Sequence, residues 1–322
     1  MLNEYYGFRE HPFQMTPDAR LFYPSTVHSR AYAHLMFGIT QQEGFVVVTG
    51  EVGAGKTTLI ERLCGELDPQ GFAVARINTT QVGADDLLRL VAQAFGANPE
   101  GTKAGVLLSI THVLRAGARR FLLIVDEAQA LPHVALEELR MLSNVMEGGR
   151  APMQTILLGQ PQLRRTLASP DLDQLRQRVL ACYHLGALSG EETRSYIEHR
   201  MRAVGWVDFP LWEEPAFGLV FRHSGGIPRR INRLCSRVLL SGALEHAATL
   251  TGAMVDATAC ELEDDLSSGA APALSSQAGG ETHALLRDLQ DRIEDLERAS
   301  RRRERVFHGM AELLVHGEGN RT

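Results

Sequence analysis

The stretch Phe45-Val-Val-Val-Thr-Gly-Glu-Val-Gly-Ala-Gly-Lys-Thr57 decides the fold. Its first half is an apolar run that reads as a buried strand, and Gly50 to Thr57 is the pattern G-x-x-x-x-G-K-[ST]. Glycines at these positions let the backbone wrap an anion with successive N–H groups pointing inward, and Lys56 adds a mobile positive charge. A helix expected over 57–67 aims the positive end of its dipole at the same anion. The expected contacts to a nucleoside triphosphate, taken as ATP, are Gly50, Glu51, Val52, Gly53, Ala54, Gly55, Lys56, Thr57 and Thr58.

Outward from this loop, apolar strand patterns alternate with helical ones, which signals a parallel α/β sheet. Strands are expected at 45–49, 73–78, 121–125, 154–158 and 180–185, giving five parallel strands. The helices between them fall at 57–67, 85–95, 104–118, 134–145 and 162–167, with Asp85 as an N-cap and Gly96 as a stop. From Ser189 no further strand is expected. Ser189-Gly-Glu-Glu192 reads as a capping box opening a helix that ends near Gly205, followed by helical patterns at 215–222, 228–244 and 253–262.

The expected organisation is an N-terminal aromatic and proline-containing segment (1–43) packed on the core, an α/β nucleotide domain (44–187) and a small helical lid (188–264). A flexible linker (265–282) and an amphipathic helix (283–316) follow. In the last, Leu286, Leu289, Ile293 and Leu296 recur at 3-4-3 spacing, which fits a short coiled coil and a solvated amphipathic helix equally. The aromatics of the first segment suit either a place over the sheet edge near a bound base or the covering of an edge strand.

Phosphoryl transfer needs positioning, a metal and a base that orients water. The strand at 121–125 delivers Asp126 and Glu127 at its carboxyl end, where parallel sheets bind ligands. Asp126 and Thr57 suit Mg²⁺, and Glu127 suits polarising the attacking water. Gln160, just past the strand at 154–158, is the expected sensor of the γ-phosphate. Arg176, with Arg178 as alternate, is the expected arginine finger into a neighbouring subunit; a surface helix paired with Asp171 and Asp173 reads the same residues structurally. Gly225-Gly-Ile-Pro-Arg229-Arg230 starts a helix with proline at N1, and it aims Arg229, or alternately Arg230, at the nucleotide.

Composition is ordinary: 44% hydrophobic, 22% charged and a formal charge of −6 over 322 residues, which excludes a general polyanion binder. Four cysteines and twelve histidines show no ligand spacing, so a zinc site or disulfide framework is not expected. Neither a membrane-length apolar run nor a signal peptide is present, and a cytoplasmic protein is expected, reaching the inner membrane through a partner.

Phosphate loop, Asp-Glu strand end, sensor, finger and Gly-x-Pro-Arg helix, in that order, resemble the AAA+ superfamily. Tyr6-Gly-Phe8, Pro12-Phe13, Thr16-Pro-Asp18, Leu21-Phe-Tyr23, Leu139-Arg-Met-Leu-Ser-Asn144, Leu158-Gly-Gln-Pro161 and Gly226-Ile-Pro-Arg-Arg-Ile-Asn232 look like the ExeA/GspA-type secretion ATPases. Within that group the sequence resembles the ATPases of XrtA/PEP-CTERM (exosortase) and exopolysaccharide loci. The resemblance covers residues 1–262. It implies ATP hydrolysis coupled to secretion or polysaccharide export at the inner membrane, with nucleotide bound between subunits of a homo-oligomeric ring. It also implies a membrane partner docked by the C-terminal helix. No transmembrane helix or peptidoglycan-binding domain of the ExeA type is expected, so wall binding is not carried over. Two other readings remain: a nucleotide-gated DNA-binding regulator similar to transposition ATPases, and an ATP-dependent scaffold switch without turnover. Net acidity weighs against the first, and the intact Lys56, Asp126 and Glu127 set against the second.

Overall fold

The computed structural model describes residues 2–16, 19–41, 44–78, 83–145 and 151–268. By contacts the chain divides into two units, 1–263 and 264–322. Of the second, only the end of one helix is described. The expected amphipathic helix at 283–316 and most of the linker lie outside the described residues.

The chain opens with α1 (Leu2–Tyr6), a single turn of 3₁₀ helix at Ala19–Leu21, and α2 (Thr26–Gln41). The α/β portion follows: β1 (Phe45–Gly50), α3 (Lys56–Glu66), β2 (Phe72–Asn78), α4 (Ala84–Ala94), α5 (Lys103–Ala116), β3 (Arg120–Asp126), α6 (His133–Leu142) and β4 (Met153–Gly159). Then come α7 (Gln162–Leu167), α8 (Asp173–Arg176) and β5 (Val179–Leu185). All five strands pair in parallel, in the order β2-β3-β4-β1-β5, as the sequence led one to expect. The two-residue strands β6 (Leu211–Trp212) and β7 (Thr249–Leu250) pair in parallel among the later helices α9 (Gly190–Ala203), α10 (Glu214–Ser224), α11 (Pro228–Leu244) and α12 (Gly252–Ser268).

β1 is apolar on both faces because it is central and covered on both. Phe45 and Val47 join one core with Leu123, Val125 and Leu157, while Val46 and Val48 join the other with Ile124, Ile156 and Leu158. Each such fully buried aliphatic side chain contributes about 1.5–3 kcal/mol. β5 is an edge strand, and α2 packs along it and β1. That seat is close: a Cβ on Gly38 would meet Val46 Cγ2 at 2.1 Å, and the buried Gln154 amide donates to the Gly38 carbonyl at 2.7 Å. A third core gathers α9, α10 and α11 around Ile197, Val220, Ile231 and Val238. It also takes up Tyr6, Phe8, Phe13 and Leu21. Tyr6, Phe8 and Phe13 therefore bury among the helices, Phe22 packs against the core on one face of the sheet, and the β5 edge is covered by α2.

Four details depart from the sequence reading. The α4 N-cap is Gly83, with Asp85 and Asp86 inside the first turn, where their charge favours the helix dipole without a side-chain cap. α2 was not foreseen, although Ala31, Leu35 and Ile39 repeat every fourth residue and are buried. Strands do not end at Ser189, because β6 and β7 add one short pair. Finally, α12 runs to Ser268, four residues into the expected linker; no breaker precedes Gly269. Elsewhere the local chemistry holds. Ser189 and Glu192 form the capping box, Gly96 takes a φ of +74° after α4, and Gly225 takes +60° after α10.

Candidate functional site

The phosphate loop crosses from β1 to α3. Gly53 and Gly55 hold φ values of +82° and +97°, which L side chains resist, and Gly55 is the N-cap of α3. Ala54 is buried between them, and Val52 is half exposed at the cleft mouth. The Lys56 ammonium is buried and donates to the carbonyls of Gly50 at 2.8 Å and Glu51 at 3.1 Å. Burial pushes its pKa down, opposed by the charges of Glu127, Asp126 and Glu51.

The end of β3 stands opposite. Thr57 Oγ1 donates to Asp126 Oδ2 at 3.5 Å, and Arg76 on β2 binds the same oxygen at 3.1 Å. Two hard oxygen donors facing each other suit Mg²⁺, which takes few protein ligands beside phosphate and water. Glu127 follows at a φ of +54°, an uncommon conformation for a non-glycine residue that turns its carboxylate off the strand axis. Its Oε2 accepts from Gln129 Nε2 at 2.5 Å and from Gln160 Nε2 at 3.3 Å. Gln129 Oε1 in turn accepts from the Gln160 backbone amide at 2.9 Å. β3 and β4 are neighbours, so the ends of two strands meet around one carboxylate.

Lys56, Thr57 and Glu127 share a cleft of about 380 Å³, walled on the sheet side also by Val52, Gly53, Gly55 and Thr58; Asp126 and Gln160 do not line it and meet it through their bonds to Thr57 and Glu127. The helical side contributes Tyr196, Arg200, Pro228, Arg229 and Asn232, and the N-terminal segment Gln14, Met15, Thr16, Leu21, Phe22, Tyr23 and His28. The mixed apolar and polar lining and its size suit a nucleotide. Arg229 is held here by its backbone N–H, which donates to the Gly53 carbonyl at 3.1 Å. Arg230 is exposed and does not line the cleft.

Arg176 and Arg178 do not reach this cleft within the chain. Arg176 is exposed and pairs with Asp173 at 2.8 Å, one of the acids that the structural reading of the sequence named. Arg178 is exposed and donates to the carbonyl and hydroxyl of Ser143, both at 3.4 Å.

Several residues escaped the sequence reading. Gln129 and Arg76 hold the two acids, and a charged residue in the middle of an apolar strand was the available signal for Arg76. Tyr196, Arg200 and Asn232 form a buried chain. The Arg200 guanidinium, which can only donate, binds the Tyr196 oxygen at 2.9 Å and the carbonyls of Pro12 at 2.7 Å and Gln14 at 3.3 Å. Tyr196 must then donate onward, and does so to Asn232 Oδ1 at 2.8 Å. Burial raises the Tyr196 pKa. His28 is the remaining omission; it touches the phosphate loop from α2.

Comparison with known proteins fits this geometry. Residues 39–167 match the family described as AAA domain. General secretion pathway protein A of Aeromonas hydrophila is 37% identical over 247 residues, covering 75% of this chain and 45% of that protein. The chain thus spans less than half the length of that relative. Among solved structures, the ADP form of the Aeropyrum pernix ORC2 protein aligns with a TM-score of 0.59 at 17% identity, over 79% of this chain and 73% of that one. A Walker-type ATPase of Pyrococcus abyssi aligns with a TM-score of 0.56 at 12% identity, over 80% and 77%. Likeness at such identities concerns the fold alone. The AAA domain match spans the phosphate loop, the acidic strand end and β4, which Gln160 follows, and with the five-stranded parallel sheet it gives this chain the fold of a P-loop AAA+ ATPase.

Proposed function

We propose that the chain binds ATP with Mg²⁺ in this cleft, hydrolyses it, and uses the cycle to assemble or drive a secretion system at the inner membrane. The finer assignment is export of exopolysaccharide or sorting of PEP-CTERM proteins in an XrtA-type locus. The observation that carries the catalytic part is the placing of the Glu127 carboxylate on the wall of the cleft that also holds Lys56 and Thr57. The secretion part is supported by 37% identity to general secretion pathway protein A across three quarters of the chain.

In this reading Lys56 and the loop amides neutralise the β- and γ-phosphate charge. Thr57 and Asp126 would hold Mg²⁺, and the ion would supply charge to offset that of the phosphates. Glu127, fixed by Gln129 and Gln160, accepts a proton from the attacking water, and Gln160 reports the γ-phosphate to β4. Arg229 links the cleft to α11. Arg176 lies outside its own cleft and serves as the finger of a neighbouring subunit in a homo-oligomeric ring. The membrane partner docks through the 283–316 segment.

Steady-state ATP hydrolysis over a range of protein concentrations, with Lys56→Ala as the blank, tests the enzyme. Specific activity should rise with concentration as subunits complete one another's sites; no turnover above the blank in any condition would overturn hydrolysis. Deleting the gene and restoring it as wild type or Lys56→Ala tests the pathway. Export unaffected by either change would overturn the secretion assignment.

A further inference from the structure

We propose that His28 is a positioning residue for the phosphate loop, holding the Ala54–Gly55 peptide in its anion-binding conformation through a hydrogen bond from its ring. The proposal rests on the nucleotide reading of the cleft, and the His28 contacts themselves are independent of it.

Three observations converge on the ring. His28 Nε2 lies 3.1 Å from the Ala54 carbonyl, which can only accept, so Nε2 carries the proton. In that neutral tautomer Nδ1 is an acceptor, and the Ser25 hydroxyl donates to it at 2.7 Å. The same hydroxyl accepts from the His28 backbone amide at 3.3 Å, which makes Ser25 the side-chain cap of α2. Both ring nitrogens are therefore matched and the tautomer is fixed. Phe22 closes the ring's flank edge-on, with centroids 5.6 Å apart.

The ring also fills the space that a side chain on Gly55 would need. A Cβ there would come to 2.6 Å from His28 Nε2. Gly55 is thus constrained twice, by a φ of +97° and by the imidazole against it. Ala54 lies one residue ahead of the N-cap, so its carbonyl stands outside the hydrogen-bond ladder of α3. Left unpaired, that carbonyl could rotate, and the Ala54–Gly55 peptide carries the Gly55 N–H, which in the nucleotide reading serves the phosphates. His28 supplies the partner that fixes this rotation.

The ring itself is held from the far side of the molecule. Its helix α2 is seated on β1 by Gly38 against Val46 and by the Gln154 amide. At its start, the Thr26 amide donates to Glu192 at 2.8 Å, and Glu192 also accepts from Ser189 in the α9 capping box. One carboxylate thereby ties the N-termini of α2 and α9, so His28 joins the loop to the helical core. Arg229 joins it from the other side through Gly53.

The test reads hydrogen exchange at amides 53–57 in the nucleotide-free protein, together with binding of a fluorescent ADP analogue. His28→Ala should speed exchange there by about tenfold or more and weaken ADP binding by about ten- to a hundredfold, the range for leaving one buried acceptor unpaired. His28→Gln, whose terminal amide can reproduce Nε2–H, should restore both readouts, and the shorter His28→Asn should not. Wild-type exchange at 53–57 in His28→Ala overturns the proposal, as does a His28→Gln variant as impaired as His28→Ala. Should His28→Ala not fold, Ser25→Ala carries the test: it keeps the ring and removes what orients it. Faster loop exchange then supports the proposal and wild-type exchange overturns it. If the wild-type protein binds no ADP, the nucleotide reading fails, and the exchange comparison still decides on His28.

Discussion

Gly53 and Arg229 touch backbone to backbone: the Arg229 amide donates to the Gly53 carbonyl at 3.1 Å, and a Cβ built on Gly53 would stand 2.2 Å from Arg229 Cβ. The first turn of α11 therefore rests directly on the phosphate loop. A loop that shifts around a phosphate must move that helix or break the contact, which gives nucleotide binding a mechanical path into the helical core.

Gly53→Ala should accordingly be far more damaging than an ordinary loop substitution. It strains a φ of +82° and forces Arg229 away. We expect nucleotide affinity to fall at least tenfold, measured by titration calorimetry. Arg229→Ala added to it should bring no relief, because the clash is with Cβ itself. Recovery in that double variant would show that the arginine's outer atoms, and not the backbone contact, set the spacing.

Glu127→Gln should retain ATP binding and lose turnover by about 10²–10⁴, the usual range for a general base. Gln129→Ala should lower kcat with little change in KM, since Gln129 holds both Glu127 Oε2 and the Gln160 amide. Single-turnover kinetics separates the two effects. An active Glu127→Gln enzyme would remove Glu127 from the role of base.

The Arg176–Asp173 pair is exposed, so its loss should change folding stability by less than about 0.5 kcal/mol. Turnover is a different matter: Arg176→Ala should reduce it about a thousandfold and abolish its dependence on protein concentration if Arg176 is the finger. A silent Arg176→Ala beside an inactive Arg178→Ala would move the role two residues along.

Tyr196→Phe deletes the middle of the Arg200–Tyr196–Asn232 chain and strands a donor and an acceptor. Denaturant unfolding should show a loss of about 1–3 kcal/mol. A neutral result would mean that water replaces the hydroxyl from the cleft side.

Stability should fall as the medium is acidified below about pH 6.5. Burial lowers the pKa of His11, His28 and His199 from 6.5, so over this window the unfolded chain binds more protons than the folded one. Stability then rises with pH until all three are neutral in both states. His28 faces the Ala54 carbonyl and, more distantly, Glu192, which oppose the shift without reversing it. Carboxylates with lowered values, such as Glu192, act below 4.5 and do not contribute here. Calorimetric Tm values at pH 7.5 and 5.5 check the sign; an equal or higher Tm at pH 5.5 would refute it.

The parts legible in advance were those encoded by neighbours in the chain. β1, the loop and α3 are consecutive, and Gly53 and Gly55 declare their conformation through residue type alone. Asp126 and Glu127 announce themselves by following an apolar run, and the Ser189–Glu192 box needs only three residues. The capping of α4 misled because Asp85 is a good cap by type, yet Gly83 begins the helix two residues earlier.

Sequence by itself determined that the strand patterns at 45–49 and 121–125 end in a phosphate loop and an acidic pair, because those signals are local and chemically specific. Only the tertiary structure decided which distant groups close the site. His28 meets Ala54 across 26 positions, Gln160 meets Glu127 across 33, and Arg200 meets Pro12 across 188. Each of these bonds spans elements whose approach is set by packing, such as Gly38 on Val46 or Arg229 on Gly53. A hydrogen bond needs its partners about 3 Å apart, and no local pattern fixes that distance between segments so remote in the chain.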